Sequence, residues 1–395
     1  MTAPGGQHID VAVVGAGLAG LECARKLAER GFRVVLADRR RDLARQVHTT
    51  GIFVRRTLED FPLPEGCLGP PIRHVTLFSP ARRRIDLESS QTEFRVARMG
   101  ALYTRRLAEC VEAGAYWAPG WRYLEGGPAG GRMRLVFETG SGRRTLQARF
   151  VIGADGASSA VARDLGLDAN RVFIVGVEDV FSGVPLEGSP RLLCFLDPSL
   201  APGYIAWVAH DGEEVHAGVG GDARRFSPVA ALEAFLASQP AGFDFSSAHR
   251  LERRGGRIPV GGVLPRIACP RGLLVGDAAG AVSPLTAGGL DPCLRLSALA
   301  AEVTAEHLAG EAGALARYAG YHFRARFVSR IWMRRMLAAV RSTLLAETAV
   351  ALLRTPPGRR LAWHVFFGRG SFPDVAPAGV AACRPARQAV SQRPA

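Results

Sequence analysis

The chain has 395 residues, 48% of them hydrophobic, enough for about two to three domains with sizeable cores and too many for a wholly disordered chain. Seven cysteines without a Cys-X-X-Cys pair exclude a disulfide framework or zinc module, and the nine histidines lack metal-ligand spacing. The formal charge of +14 is carried almost wholly by arginine, with Lys26 the only lysine, and in a chain rich in Ala, Gly and Pro it reads as diffuse surface charge rather than a nucleic-acid interface.

No basic and apolar leader precedes Asp10, and no apolar run reaches the ~18 residues of a membrane span, so a cytoplasmic protein is expected. The first element is a β-branched strand over residues 10–15, followed by a helix from about Leu18 to Arg30 that stops at Gly31, and a second apolar strand from Arg33 to Ala37. Residues 132–150 read as a hairpin turning at 139–142. Strands running into glycine turns recur at 150–156 and 272–277, and the Val-, Phe- and Gly-rich stretch 171–222 reads as an antiparallel sheet. Beyond Gly289 the chain is mostly helical to about Leu353. Within it, Arg326, Arg330 and Arg334 recur at i, i+4, i+8 opposite Phe327, Val328, Ile331 and Trp332, a basic amphipathic helix over 324–341 that either packs its apolar face on the rest of the protein or lies on an anionic membrane. The last residues, from 371, read as a disordered tail.

Gly15-Ala16-Gly17-Leu18-Ala19-Gly20 follows the first strand and opens the first helix. Glycine at 46 of 395 positions predicts about 0.6 chance matches to this spacing, so context carries the weight. The context fits dinucleotide binding: a tight turn, close backbone approach to a pyrophosphate, a helix N-terminus, and Asp38 at the end of the next strand to accept from ribose hydroxyls. Two further motifs, Asp155-Gly156 with Ser159, and Gly276-Asp277-Ala-Ala-Gly280 with Pro284 and Gly288-Gly289, each put an aspartate at the carboxyl end of a strand.

In this order the three motifs resemble those of FAD-dependent oxidoreductases of the p-hydroxybenzoate hydroxylase type, and most closely the geranylgeranyl reductase group, over about residues 9–325. The resemblance implies an α/β fold: a discontinuous Rossmann-like FAD-binding domain (1–72, 97–164 and 252–322), an inserted antiparallel β-sheet substrate domain (73–96 and 165–251), and C-terminal helices (323–370). It implies non-covalent FAD, with Gly15, Ala16, Gly17, Gly20, Asp38, Arg39 and Arg45 at its ADP half, Asp155 and Gly156 near its middle, and Asp277 on the ribityl chain. Pro284, Gly288 and Gly289 would face the flavin pyrimidine ring, where a helix N-terminus stabilises developing negative charge. NAD(P)H would act as a transient reductant on the FAD domain, since no second Gly-X-Gly-X-X-Gly occurs. The sequence departs from relatives at Ala162, where an arginine is common and Arg163 comes one residue later.

On the substrate side, Pro202 to Trp207 resembles a reductase motif in which a tyrosine precedes tryptophan over the flavin, which makes Tyr204 and Trp207 candidates. His48 falls where such reductases carry residues near the flavin and is a candidate proton donor. Glu178 and Asp179 are expected to face the cavity, and His210 and His216 to lie at a hairpin surface. Flavin-dependent halogenases use an active-site lysine, whereas Lys26 falls on the cofactor-domain helix. The expected activity is FAD-dependent reduction of a carbon–carbon double bond in a small apolar, prenyl-like substrate. Two other readings stay open: a flavin monooxygenase, against which Gly280 weighs because aromatic hydroxylases often carry histidine there, and an electron-carrier flavoprotein.

Overall fold

The computed structural model describes residues 9–186 and 188–368, so the tail expected from 371 lies outside the described residues. Ile9–Val14 is buried almost throughout because it is the middle strand of a parallel sheet covered on both faces. Residues 11–14 pair in parallel with 34–37 on one side and 150–153 on the other. The sheet continues in parallel to Tyr116–Pro119 and to Gly272–Leu274. The chain leaves Ile9–Val14 toward one side and later returns on the other, which opens a crevice at the carboxyl ends of these strands, where all three motifs begin. The expected hairpin is present as Arg132–Thr139 against Gly142–Gly153, joined by a third antiparallel strand, Arg122–Ala129.

A second sheet of seven strands has the order His249–Pro259, Phe173–Ser182, Val215–Gly221, Ala206–His210, Arg191–Phe195, His74–Phe78, Arg84–Glu88. It is antiparallel except where Arg191–Phe195 meets His74–Phe78. His249–Pro259 pairs with Phe173–Ser182 along its length, so this sheet runs past residue 251. Alternation gives the sheet two functions. Val177 and Phe181 pack with Leu232 and Phe235 of the helix Pro228–Ala237. Ile174 and Glu178 share the opposite face, and Ile174 meets Tyr204 and Val260 there.

The long helix Leu290–Ala309 packs on Leu18–Ala28 in the main core. Val328–Ala339, Thr343–Leu353 and Pro356–Phe367 follow, the last adding a helix beyond Leu353. In the expected amphipathic helix both faces are divided between core and surface, and Arg326 stays exposed. Arg330 is buried and Arg334 largely so, while Val328 and Trp332 are 50% and 60% exposed. Phe327 and Ile331 do face inward, so the supposed apolar face is split. The arginine stems pack as apolar rods, and the Arg334 guanidinium lies 5.5 Å from the centre of the Tyr204 ring. Among the described residues no helix is long and apolar enough to cross a membrane.

Candidate active site

The three glycine turns meet. Gly15 has φ +104°, and a Cβ on it would overlap the Ala154 carbonyl, so the first turn sits against the second motif. A Cβ on Gly20 would overlap the Gly15 carbonyl oxygen, which lets the helix Leu18–Ala28 start directly on the turn. Gly17 differs: its φ of −74° suits any residue and no protein atom lies within 4 Å of its Cβ position. Nothing in the protein therefore requires glycine there, whereas a ligand approaching the backbone would. The third motif closes on the first, since a Cβ on Gly276 would come 2.9 Å from that of Ala19.

Asp38 closes the strand Val34–Asp38 and is buried. Its Oδ2 accepts from the Ala16 N–H at 2.7 Å, its Oδ1 from the Arg40 N–H at 2.7 Å, and Arg40 adds two guanidinium contacts at 3.1 Å. Arg40 also donates to the Ala16 carbonyl at 3.1 Å, so it staples the glycine turn to the strand end. With these acceptor sites filled, a ribose hydroxyl could bind Asp38 only by displacing part of Arg40. Arg39 points to solvent, and Arg45 is exposed beside Asp42 at 3.4 Å.

Asp155 accepts from the Ser159 hydroxyl at 2.6 Å and from the Ala160 and Val161 N–H groups at 2.7 and 3.1 Å, capping the short helix Ala160–Asp164. Burial raises its carboxyl. Gly156, at φ +83°, has open space around its Cβ position. Ala162 is fully buried, and Arg163 is exposed and paired with Asp164. Asn170 donates to Ala157 O at 3.1 Å and Asp277 O at 2.8 Å, tying the second motif to the third. Nothing around it in the sequence would have singled out this lone loop asparagine.

The Asp277 carboxylate has no hydrogen-bond donor among the described residues, and burial lifts its pKa from 3.8 to about 6. Its Oδ1 lies 3.5 Å from where a Cβ of Gly289 would stand, just ahead of the helix Leu290–Ala309. The loop before that helix is held by Ser283 N–H donating to Gly288 O and Ala287 N–H to Ser283 O, each at 2.9 Å, with buried Pro284 between them. Neither Leu18–Ala28 nor Leu290–Ala309 has a side-chain N-cap. Free N–H groups at two helix ends, an unpartnered carboxylate and an open glycine position fit FAD, whose phosphates, ribityl hydroxyls and pyrimidine oxygens would complete them.

Across the crevice, Trp207 lies flat on the second sheet: a Cβ on Gly218 would run into its ring, and one on Gly220 would come 2.9 Å from the Tyr204 ring. The Tyr204 hydroxyl donates to Thr286 O at 2.5 Å, joining the sheet to the loop before Gly288 and Gly289. Ile258 and Ala287 pack beside these rings. Trp207 Nε1 donates to Glu178 Oε2 at 3.0 Å, and Thr50 Oγ1 donates to the same oxygen. His216 Nδ1 is 3.3 Å from the other Glu178 oxygen.

His216 is 2% exposed, which overturns its expected place at a hairpin surface; it belongs to the interior face of Val215–Gly221. Burial alone would depress its imidazole, but Asp211 on one side and Glu178 on the other outweigh that and raise its pKa to about 9. Burial would raise Glu178, yet hydrogen bonds from His216 and Thr50 hold it below the ordinary carboxylate value. Asp179, on the opposite face from Glu178, is taken up by Arg253 at 2.7 Å. His210 is half-buried. Arg254 donates to Thr49 O at 3.1 Å and lies 3.7 Å from Glu178, so the 48–51 turn is docked on this charged cluster. His48 heads that turn with its ring exposed; desolvation and the positive charges of Arg40 and Arg39 lower its pKa, leaving it neutral near pH 7 and a weak proton donor.

Lys26 stands on the helix Leu18–Ala28, 3.3 Å from Glu22. A groove of about 700 Å³ between that helix and Met99–Glu112, lined by Arg25, Arg105 and Glu109 among others, is remote from the glycine turns.

A family model described as FAD binding domain matches residues 8–196. Digeranylgeranylglycerophospholipid reductase 1 of Methanopyrus kandleri is 30% identical over 313 residues, covering 76% of this chain and 81% of that protein. The crystal structure of a geranylgeranyl bacteriochlorophyll reductase-like protein from Thermoplasma acidophilum superposes with a TM-score of 0.79 at 21% identity, covering 92% of this chain and 98% of its own. p-Nitrophenol 4-monooxygenase from Pseudomonas putida shares the fold at a TM-score of 0.66 and 16% identity, covering 92% and 95%.

Proposed function

Because this chain belongs to the geranylgeranyl reductase family of FAD-dependent oxidoreductases, we propose that it reduces a carbon–carbon double bond of an apolar, prenyl-type substrate with electrons from NAD(P)H. The observation that supports this most is the apolar floor of Ile174, Tyr204, Trp207 and Ile258, facing the loop that leads into Gly288 and Gly289. An aromatic floor, joined through Trp207 Nε1 to the Glu178, Thr50 and His216 cluster, suits an isoprenoid chain whose double bond needs a proton source.

FAD, when bound, supplies reversible storage of a hydride equivalent. Gly15, Ala16, Gly17 and Gly20 would present backbone N–H groups to its pyrophosphate, and Asp38, Arg39 and Arg45 would border the adenosine end. Asp155 and Gly156 would flank its middle, and Asp277 would accept from ribityl hydroxyls. Pro284 would shape the loop that sets Gly288 and Gly289 against the ring, where the N-terminus of Leu290–Ala309 places positive partial charge. Trp207 and Tyr204 would exclude water and align the substrate. The proton for the second carbon would come from the His216 imidazolium rather than from His48, relayed through Glu178 and the Thr50 hydroxyl, which regains its proton from Glu178 as it gives one to the carbon.

The test is anaerobic reduction of the yellow protein by NADPH, followed by a geranylgeranyl lipid and mass analysis of the product. Gain of two hydrogens per double bond without oxygen is expected. Oxygen incorporation in air would instead establish the monooxygenase reading, and a flavin that NAD(P)H does not reduce would point to another donor or an electron-carrier role.

A further inference from the structure

The C-terminal helices leave an apolar surface that the reaction chemistry does not use. Nine of the fourteen large apolar side chains exposed among the described residues lie between Tyr321 and Trp363. On Val328–Ala339 they form one stripe, Val328, Trp332 and Met336, spaced by four residues and up to 71% exposed. Thr343–Leu353 carries a second stripe, with Leu344 75%, Leu345 50% and Leu352 63% exposed. The inner faces of the two helices share one buried cluster, Leu337 and Val340 with Ala346 and Val350, so both stripes are turned away from the body.

The charge around this surface is one-sided. Of the nine arginines in residues 321–368, Arg326, Arg335, Arg341, Arg354, Arg359 and Arg360 are exposed while Arg324, Arg330 and Arg334 turn inward, and the single acidic residue is Glu347. Glu347 is turned toward the second sheet, accepting from Ala81 N–H at 2.6 Å. The Arg335 guanidinium lies 4.9 Å from the centre of the exposed Trp332 ring, a pair with an apolar body and a cationic rim. Exposed apolar stripes bordered by arginine would be a liability in water, and they match the acyl boundary and phosphate layer of a bilayer. The same helix reaches the candidate site on its other side, where Arg334 covers Tyr204 and Leu337 packs against the cluster of Ile174, Tyr204 and Val260.

We propose that the outer faces of Val328–Ala339 and Thr343–Leu353 dock on an anionic lipid bilayer, so that an apolar substrate passes from the membrane past Leu337 to the Tyr204–Trp207 floor. The substrate route rests on the reductase reading; the docking surface does not.

The test uses the full-length FAD-loaded protein in flotation with phosphatidylcholine vesicles, with and without phosphatidylglycerol. Wild type is expected to float with the anionic vesicles and to be released by salt. Trp332→Ser with Met336→Ser should lower the partition coefficient roughly 100-fold, about ten-fold for each apolar anchor lost. Arg335→Gln with Arg341→Gln should lower it roughly 25-fold on anionic vesicles alone, about five-fold per charge. Circular dichroism, flavin spectrum and turnover of a detergent-solubilised prenyl lipid should be unchanged in all variants. Equal behaviour on both vesicle types, or variants that float like wild type, would overturn the proposal. So would a wild-type dimer that the Trp332 and Met336 substitutions convert to monomer without effect on flotation, which would assign the surface to a second copy. Intact docking with no turnover of any prenyl lipid would sink the reductase reading and leave the surface standing.

Discussion

Asp277→Asn separates a carboxylate kept for a ligand from one kept for stability. Without flavin the carboxyl is desolvated by its surroundings, with no donor among the described residues, and its pKa is pushed up to about 6 against an ordinary 3.8. The fold therefore prefers the protonated form. The penalty is absent below about pH 4, grows as pH rises toward 6, and is constant above it. A rise of about two units corresponds to roughly 3 kcal/mol of lost stability at pH 7. The amide has nothing to ionise, so deflavinated Asp277→Asn should be more stable than deflavinated wild type by an amount of that order at pH 8 and equal to it near pH 4. FAD affinity should move the other way: losing hydrogen bonds to a charged acceptor costs about 1.5–3 kcal/mol, or roughly ten- to a hundred-fold in Kd. Urea unfolding of the deflavinated proteins at the two pH values, with flavin titration followed by fluorescence, reads both effects. A variant less stable than wild type at pH 8 would refute the argument, because it would mean the carboxylate has a protein partner.

Three further outcomes follow from contacts in the site. Gly17→Ala should leave folding within ~0.5 kcal/mol of wild type while weakening FAD at least ten-fold, whereas Gly20→Ala, whose Cβ meets backbone, should fail in thermal stability before binding is measured. His216→Asn breaks a buried charge pair and should cost about 3–5 kcal/mol at pH 7. Because the His216 pKa is raised from 6.5 to about 9, its stabilisation is complete below the lower value and lost as pH climbs through the upper one; a wild-type curve flat from pH 7 to 10 would count against that pair. Tyr204→Phe removes the hydrogen bond to Thr286 O and should cost about 1 kcal/mol; flavin content should stay the same while kcat/KM for a prenyl substrate falls, and unchanged kinetics would show that the loop needs no such tether.

Buried charge is distributed unevenly between the two sheets. At the crevice of the parallel sheet Asp277 is desolvated with no donor among the described residues, whereas the second sheet encloses Glu178 and His216 in a shared hydrogen bond. The first arrangement calls for a ligand; the second holds the 48–51 turn in place through Thr50 and Arg254.

Local sequence determined what depends on backbone alone. Glycine is required at Gly15 and Gly20 by a turn and a close approach, and the parallel strands are continuous apolar runs because both faces are covered, so the nucleotide crevice and its motif order were legible before any coordinate. Tertiary packing decided which side chains reach the crevice. Whether Arg39 or Arg40 turns inward depends on the twist at the end of Val34–Asp38, and Arg40 is the one that staples the turn. Asn170 acquires its place only when two distant loops meet. His216 looked exposed because a short hairpin was read in isolation, and a neighbouring strand supplies the Glu178 that buries it as a cation. In the helix 328–339 the expected arginine face and the expected apolar face are each divided between core and surface. Periodicity lays out positions around a helix but not which of them a protein turns to its core, and here Arg330 and Arg334 turn inward, Arg334 over Tyr204, while Trp332 stays outside.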